Sequence, residues 1–230
     1  MVIGNGMVAK CFLNYLNNDK VVVFASGVSN SKLLVANEFK REEILLRRTI
    51  QSIENKKLIY FSTFNLYDPN ESGSAYCLHK LNMENLIKSE MKNFNIFRLG
   101  NVAGQNANQH TILSFLYKSI IEQTEFELWR GASRNIIDID DISKICSYII
   151  DNDLFLEEIT NVCNSQNTSV LEIVRIMEDI TSLSGKYIIK EKGGSPNVDN
   201  SKIQDIAKKI GVIFDNTYAR RIICKYFNFD

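Results

Sequence analysis

The sequence places Tyr76 four residues before Lys80 in the stretch "SAYCLHKL", residues 74–81. In a helix, residues at that spacing stand one above the other on a single face. A phenol ionises near pH 10, too high for ready proton exchange at neutral pH, and an adjacent ammonium favours its charged form. A fall of about three pKa units would correspond to roughly 4 kcal/mol of differential stabilisation. None of the other eight tyrosines has a lysine four residues on. Upstream, Thr63 ends the apolar run "LIYFST" and could present a hydroxyl to a substrate carbonyl. The three side chains form a candidate proton-transfer group, while a Tyr–Lys pair taken alone also arises by chance. The elements around them must decide.

A second group lies at the start of the chain. "VIGNGMVA" follows the pattern G-x-G-x-x-A through Gly4, Gly6 and Ala9. The first glycine allows a tight turn, the second lets backbone approach a diphosphate, and the third small residue lets helix and strand pack closely. The same pattern also fits a plain strand–turn–helix. The carboxylate that would hold an adenosine ribose is due about 20 residues later, at the end of the second strand. That strand ends "FASG", with Ser26 there and Asp19 at its opposite end. The choice between NAD and NADP therefore has no handle.

The segments that must position these residues alternate in type. Met1–Ile3, "KVVVFAS", "KKLIYFST", "FNIFRLGNVAG" and "ITNVCNS" read as strands, the central ones continuously apolar as buried parallel strands are. Residues 37–54 and 76–91 read as helices, the second with Ala75, Leu78, Leu81 and Leu86 near helical spacing. A first helix carries Val8, Phe12, Tyr15 and Leu16 on one side. "TILSFLYKSIIEQ", "DDISKICSYIIDN" and "SVLEIVRIMEDITSL" supply further helices, "EFELW" a short strand, and the tail a final amphipathic helix. Such alternation predicts an α/β chain with a doubly wound parallel sheet, the Rossmann architecture, and a small C-terminal lobe. The core is expected over residues 1–104 and 132–165, and the lobe over 105–131 and 166–230.

Bulk composition narrows the function. Hydrophobic residues make up 45% and charged residues 23% of the 230 positions, the ordinary globular range. Lys+Arg and Asp+Glu are equal at 27, leaving no footprint for nucleic acid or an anionic membrane. "FKREEILLRR" reads as a solvated helix face. The five scattered cysteines suggest neither a disulfide framework nor a metal site. No apolar run approaches the roughly 20 residues of a membrane span. A cytoplasmic protein is expected.

Six segments in order, "VIGNGMVA", "FASGVSNS", "YFSTFNLYDP", "YCLHK", "RLGNVAG" and "RNIIDIDDIS", resemble the extended short-chain dehydrogenases/reductases. More narrowly, they resemble the epimerase/dehydratase family that modifies nucleotide sugars. The resemblance implies that Tyr76 is the acid/base, Lys80 its electrostatic partner and Thr63 the substrate-orienting hydroxyl. It implies that Gly4, Asn5, Gly6, Met7 and Val8 hold the diphosphate of NAD or NADP. Ala25, Ser26, Gly27 and Ser62 would line the rest of the cofactor path, with Tyr76 and Lys80 beside the nicotinamide ribose. Asn101 and Arg134 would contact the sugar nucleotide's phosphates, and the protein would be a homodimer through helices 37–54 and 76–91.

The chain also departs from that family. "FASG" resembles the family's fourth strand yet follows the first helix directly, so the second and third strands are missing. Phe64 and Asn65 stand where 4,6-dehydratases carry an Asp-Glu pair, which disfavours dehydration. The expected reaction is NAD(P)-dependent reduction of a 4-keto-6-deoxy sugar on a nucleotide diphosphate. The rivals are a 4-epimerase and a non-catalytic module that binds a dinucleotide or sugar nucleotide. Other polar residues read as ordinary structure: His79 as surface or packing, His110 as a loop residue, and Asp140 and Asp141 as helix-start carboxylates. Arg134 could also pair with a nearby acid, and Trp129 reads as lobe core.

Overall fold

The computed structural model describes residues 1–28, 36–105, 111–197 and 199–227. Along the chain the elements are β1 (Val2–Ile3), α1 (Met7–Cys11), β2 (Val21–Phe24), α2 (Ala36–Ser52), β3 (Lys57–Thr63), α3 (Ala75–Glu90), β4 (Phe94–Leu99), β5 (Asn101–Ala103), α4 (Ile112–Ile121), β6 (Phe126–Trp129), β7 (Ser133–Arg134), β8 (Ile136–Asp138), α5 (Ile139–Asp151), β9 (Glu158–Val162), β10 (Thr168–Ser169), α6 (Val170–Thr181), β11 (Tyr187–Lys190), α7 (Ser201–Lys209) and α8 (Tyr218–Phe227). Five of the strands form one parallel sheet in the order β1-β2-β3-β4-β9.

The pleat sorts the apolar runs onto two faces, because successive side chains point to opposite sides of a sheet. Val21, Val23, Ile59, Phe61 and Phe97 meet Phe12 and the α5 residues Ile142, Ile145 and Ile149. Val22, Phe24, Leu58, Tyr60 and Ile96 meet Leu46 of α2 and Met83 and Ile87 of α3. Helices therefore cover both faces, which is why β2 and β3 are buried at every residue. This is the doubly wound arrangement expected from the sequence.

In the usual order of such a sheet, 3-2-1-4-5-6, the first strand lies in the middle. Here β1 is the edge, and β2 sits beside it in the fourth strand's place. A further parallel strand needs a crossover of a dozen residues or more. Between α1 and β2 the chain has only residues 12–20, part of them in a 3-10 turn at Leu13–Tyr15. The two absent strands are thus a real feature of the fold.

A separate apolar cluster gathers α4, β6, α6 and α8 through Leu116, Ile120, Leu128, Val174, Met177 and Ile223. Short pairings frame it: β6 with β11, β5 with β8, and β7 with β10. The tail does not belong to it as a whole. Ile203, Ile206 and Ala207 of α7 join the sheet's own cluster beside α5 and β9. The expected lobe segment 166–230 is therefore divided between the two bodies of apolar packing.

Three details differ from the sequence reading. The first helix stops at Cys11, and Leu16 is exposed. On α3, Leu78 and Leu81 face outward, and the buried side carries Cys77, Lys80, Met83, Glu84 and Ile87. A last helix, α8, follows the predicted final one. In the second case two charges occupy the inward stripe, so apolar spacing alone pointed to the wrong side.

Candidate functional site

A cleft of about 700 Å³ opens where β1, β2, β3 and β4 end, within the usual size range for small-molecule sites. Asn5, Gly6, Met7 and Val8 line one end of it. Gly4 lies beneath, at φ +124°, where a Cβ would stand 2.4 Å from the Ala25 carbonyl oxygen. Glycine is required there by conformation and by space. A Cβ at Gly6 would meet nothing within 4 Å, so that position looks into open cleft. Gly6 is also the N-cap of α1 and supplies no side-chain hydrogen bond, leaving first-turn amides without a side-chain partner. The turn suits a phosphate group held by backbone.

Ala25, Ser26 and Gly27 leave β2 and form the adjoining wall. Ser62 lines the cleft too, but its Oγ donates to Glu84 Oε1 at 2.5 Å. Glu84 is fully buried and takes two further bonds from Arg98, at 2.8 and 2.5 Å. Ser62 is thus tied into the framework under the cleft floor.

Thr63 and Tyr76 both line the cleft. Thr63 is the last residue of β3, and its Oγ1 accepts the Asn65 amide at 3.1 Å. Tyr76 stands in the first turn of α3, whose start is fixed by Ser74 Oγ accepting the Cys77 amide at 3.2 Å. Loss of water around the phenol pushes its pKa above the ordinary value; Thr63 opposes that rise and the Glu42 carboxylate adds to it. Tyr76 is therefore an undissociated phenol at neutral pH.

The hydrogen bonds of Lys80 run to groups other than that phenol. Lys80 lines the cleft, but its Nζ donates to Glu42 Oε1 at 2.9 Å, to the Tyr60 hydroxyl at 3.1 Å and to the Phe61 carbonyl at 3.4 Å. An ammonium has three hydrogens, and three acceptors surround it. Lys80 is thus bonded to a buried acid, Glu42, at the floor of the cleft.

That acid was missed in the sequence. Glu42 of α2 is 0% exposed. It also takes the Val28 amide at 2.7 Å and the Tyr60 hydroxyl at 2.7 Å, and lies 3.0 Å from His79 Nε2. Burial by itself would raise its pKa, but Lys80, His79, Tyr60 and the Val28 amide together hold it well below the carboxylate range. A signal was available. Glu42, Leu46, Thr49 and Ile53 recur at steps of four, three and four, and all are buried. His79 is the packing residue it was read as, stacked on Phe39 with ring centroids 4.6 Å apart.

Asn101 and Arg134 line the far wall. The Asn101 backbone amide donates to the Asn135 carbonyl at 2.6 Å, and its side-chain amide makes a longer contact to the same oxygen at 3.4 Å. Arg134 Nη1 reaches Asp68 Oδ2 at 3.3 Å, so its charge is already partly matched. Asp140 and Asp141 occupy the first turn of α5 under an Asp138 N-cap, the capping reading. Trp129 is half-buried, with Lys192 Nζ 4.3 Å above its ring. His110 lies outside the described residues. Among the described residues no cluster could hold a metal ion, and no helix is long and apolar enough to cross a membrane.

No family model matches the sequence, and no curated protein matches it. Solved structures do. UDP-glucuronic acid 4-epimerase from Bacillus cereus, in complex with UDP-glucuronic acid and NAD, is similar with TM-score 0.74 at 17% identity, over 97% of this chain and 80% of that one. UDP-glucose 4-epimerase from Thermus thermophilus, complexed with NAD, gives TM-score 0.70 at 15% identity over 96% and 82%. RMD from Pseudomonas aeruginosa, complexed with NADPH, gives 0.70 at 14% over 91% and 81%. At these identities the likeness is one of fold. The chain shares the Rossmann fold of these structures, with β1 at the edge of its sheet where the usual order would place two more strands.

Proposed function

We propose that this chain is an NAD(P)-dependent oxidoreductase acting on a nucleotide-diphosphate sugar. One observation carries the reading: a glycine turn open to phosphate and a Thr63–Tyr76 pair share a single cleft at the ends of parallel strands. Asn5, Gly6, Met7 and Val8 would hold the diphosphate over Gly4, with Ala25, Ser26 and Gly27 along the riboses. Bound there, a nicotinamide would supply or accept the hydride. Thr63 orients the substrate oxygen and Tyr76 gives it a proton. Asn101 and Arg134 would take the sugar nucleotide's phosphates, Arg134 exchanging or sharing Asp68.

Reduction of a 4-keto-6-deoxy sugar, in which hydride reaches the keto carbon and Tyr76 supplies the proton to its oxygen, is the first reading. The second is 4-epimerisation, favoured by the UDP-sugar epimerases among the structural neighbours. The two differ in cofactor handling: a reductase exchanges its dinucleotide each turnover, an epimerase retains it. NADH and NADPH are titrated by fluorescence, and purified protein is assayed for dinucleotide surviving dialysis. Thermal stabilisation by a nucleotide-sugar panel follows, expected at about 2.7 kcal/mol when a ligand stands at 100 times its Kd. Absence of any dinucleotide binding would end the proposal. Binding with no turnover of keto-sugars would leave a non-catalytic module. A homodimer is also proposed, on the exposed Ile44 of α2 and Leu78 and Leu81 of α3.

A further inference from the structure

In a Rossmann sheet the carboxylate that holds the adenosine ribose stands at the end of the second strand, and β1 has no such neighbour here. A different charge occupies this end of the cleft. Arg41 of α2 lines it, with Nη1 3.3 Å from Ser26 Oγ and Nη2 3.3 Å from the Ser26 carbonyl. Ser26 adjoins the glycine turn: a Cβ at Gly4 would stand 3.1 Å from the Ser26 nitrogen. A dinucleotide with its nicotinamide at Tyr76 and its diphosphate on this turn must carry its adenosine out past β1, the edge of the sheet. Arg41, with a side chain 45% exposed, stands beside that exit.

We propose that Arg41 binds the adenosine 2′-phosphate and makes the chain selective for NADP(H) over NAD(H). This role rests on the dinucleotide half of the proposed function and requires no particular sugar. The charges around the cleft favour it. Its acids among the described residues are Asp68 and Glu71, both from the segment between β3 and α3, and Asp68 is paired to Arg134. Neither belongs to β1, β2 or the residues that follow them, so no cleft-lining carboxylate there takes a ribose 2′-hydroxyl or repels a phosphate. Arg41 Nε has Glu38 at 2.9 Å, but both side chains are 45% exposed, and such a pair is weak and screened by salt. A guanidinium carries five N–H groups. Glu38 and Ser26 engage one on each nitrogen, which leaves one on Nη1 and one on Nη2 without an acceptor among the described residues. Such a pair is the fork that fits a phosphate. The diphosphate is a poorer match for it, because the glycine turn leads into α1 on one face of the sheet and Arg41 comes from α2 on the other.

The test compares ligands that differ by the 2′-phosphate alone. Dissociation constants of NADPH and NADH are measured on the full chain by fluorescence titration, and those of 2′,5′-ADP and 5′-ADP by calorimetry. The parent should bind the phosphorylated member of each pair at least about tenfold tighter, the scale of one charge-assisted contact. Arg41→Gln keeps a polar side chain and removes the charge, so both ratios should fall below about threefold, with NADH affinity held within about twofold. A parent ratio under about tenfold overturns the assignment, as does a ratio that persists in Arg41→Gln. Equal losses for NADH and NADPH in that variant also overturn it, and would place Arg41 on the diphosphate. The side chain is at the surface, so the variant should fold, and the parent ratio decides without it if it does not. Failure to bind either dinucleotide removes the proposed function and this site together, whereas equal binding of both removes the site alone.

Discussion

At the tyrosine end of the cleft, β3, α2 and α3 converge, and each polar group set between them has a partner. At the Gly4 end, β1 contributes two residues at the rim of the sheet, and α1 is five residues long. In a full-length Rossmann sheet two more strands would stand beyond β1, and the adenosine would lie over them. The contrast separates what proton transfer requires from what cofactor grip requires. A proton must be aligned to a fraction of an ångström, so its supports have to be buried and rigid. A diphosphate can be held by a few backbone amides on a short turn.

The largest effect that would test this contrast is kinetic. Tyr76→Phe should lower turnover by about a hundredfold or more while leaving dinucleotide affinity nearly unchanged, since the phenol acts on the proton and not on the diphosphate. Unchanged turnover would take Tyr76 out of the mechanism. Next comes stability: Glu42→Ala leaves Lys80 buried without its acid and should cost about 3–5 kcal/mol in urea unfolding. A cost near zero would mean that water reaches Lys80 and the tyrosine end is looser than described. At the other end, Gly4→Val must adopt φ +124° against the Ala25 carbonyl, so a loss of about 1–3 kcal/mol is expected, with weaker dinucleotide binding. Equal binding by the variant would mean that the turn does not shape the grip.

Acid should divide the two ends as well. Glu42 has its pKa depressed by folding, so its contribution is complete above its ordinary value of 4.5 and is lost as pH falls below it. Unfolding free energy measured downward from pH 5 should decline in the parent and decline less steeply in Glu42→Gln. Identical slopes would show that other carboxylates govern acid unfolding. The smallest effect is a surface control: Arg47→Ala breaks the exposed pairs with Glu43 and Glu90 and should change stability by less than about 1 kcal/mol.

Much of this was legible in the sequence, and the failures share a cause. The strands β2, β3 and β4 announced themselves because continuous apolar runs have few alternatives to a buried parallel sheet. The glycine turn was legible because phosphate binding and tight turning demand the same residue. The helix α8 was readable too, since Tyr218, Ile222 and Ile223 recur at helical spacing, but the sequence reading ended with the helix before it. Lys80 was found, and its acid partner was not. Its spacing from Tyr76 reports which helix face it shares, whereas its charge partner comes from 38 positions upstream. Glu42 was hidden by its neighbours, because a carboxylate inside "KREE" looks solvated until the buried stripe is traced through it.

Gly100 marks where β4 ends and the chain leaves the large sheet to pair β5 with β8. Any side chain there would meet the backbone and side-chain oxygens of Asn135, both at 2.8 Å. Asn135 in turn is bonded to Asn164 and Asn167, so one asparagine stitches the sheet, the lobe and the wall bearing Asn101 and Arg134. Apolar surfaces can slide past each other at little cost, whereas oriented amide bonds permit one angle and one gap. The mouth of the cleft is accordingly gauged by a polar seam, and its width would respond to a change of one methyl group at position 100 before the core registered it.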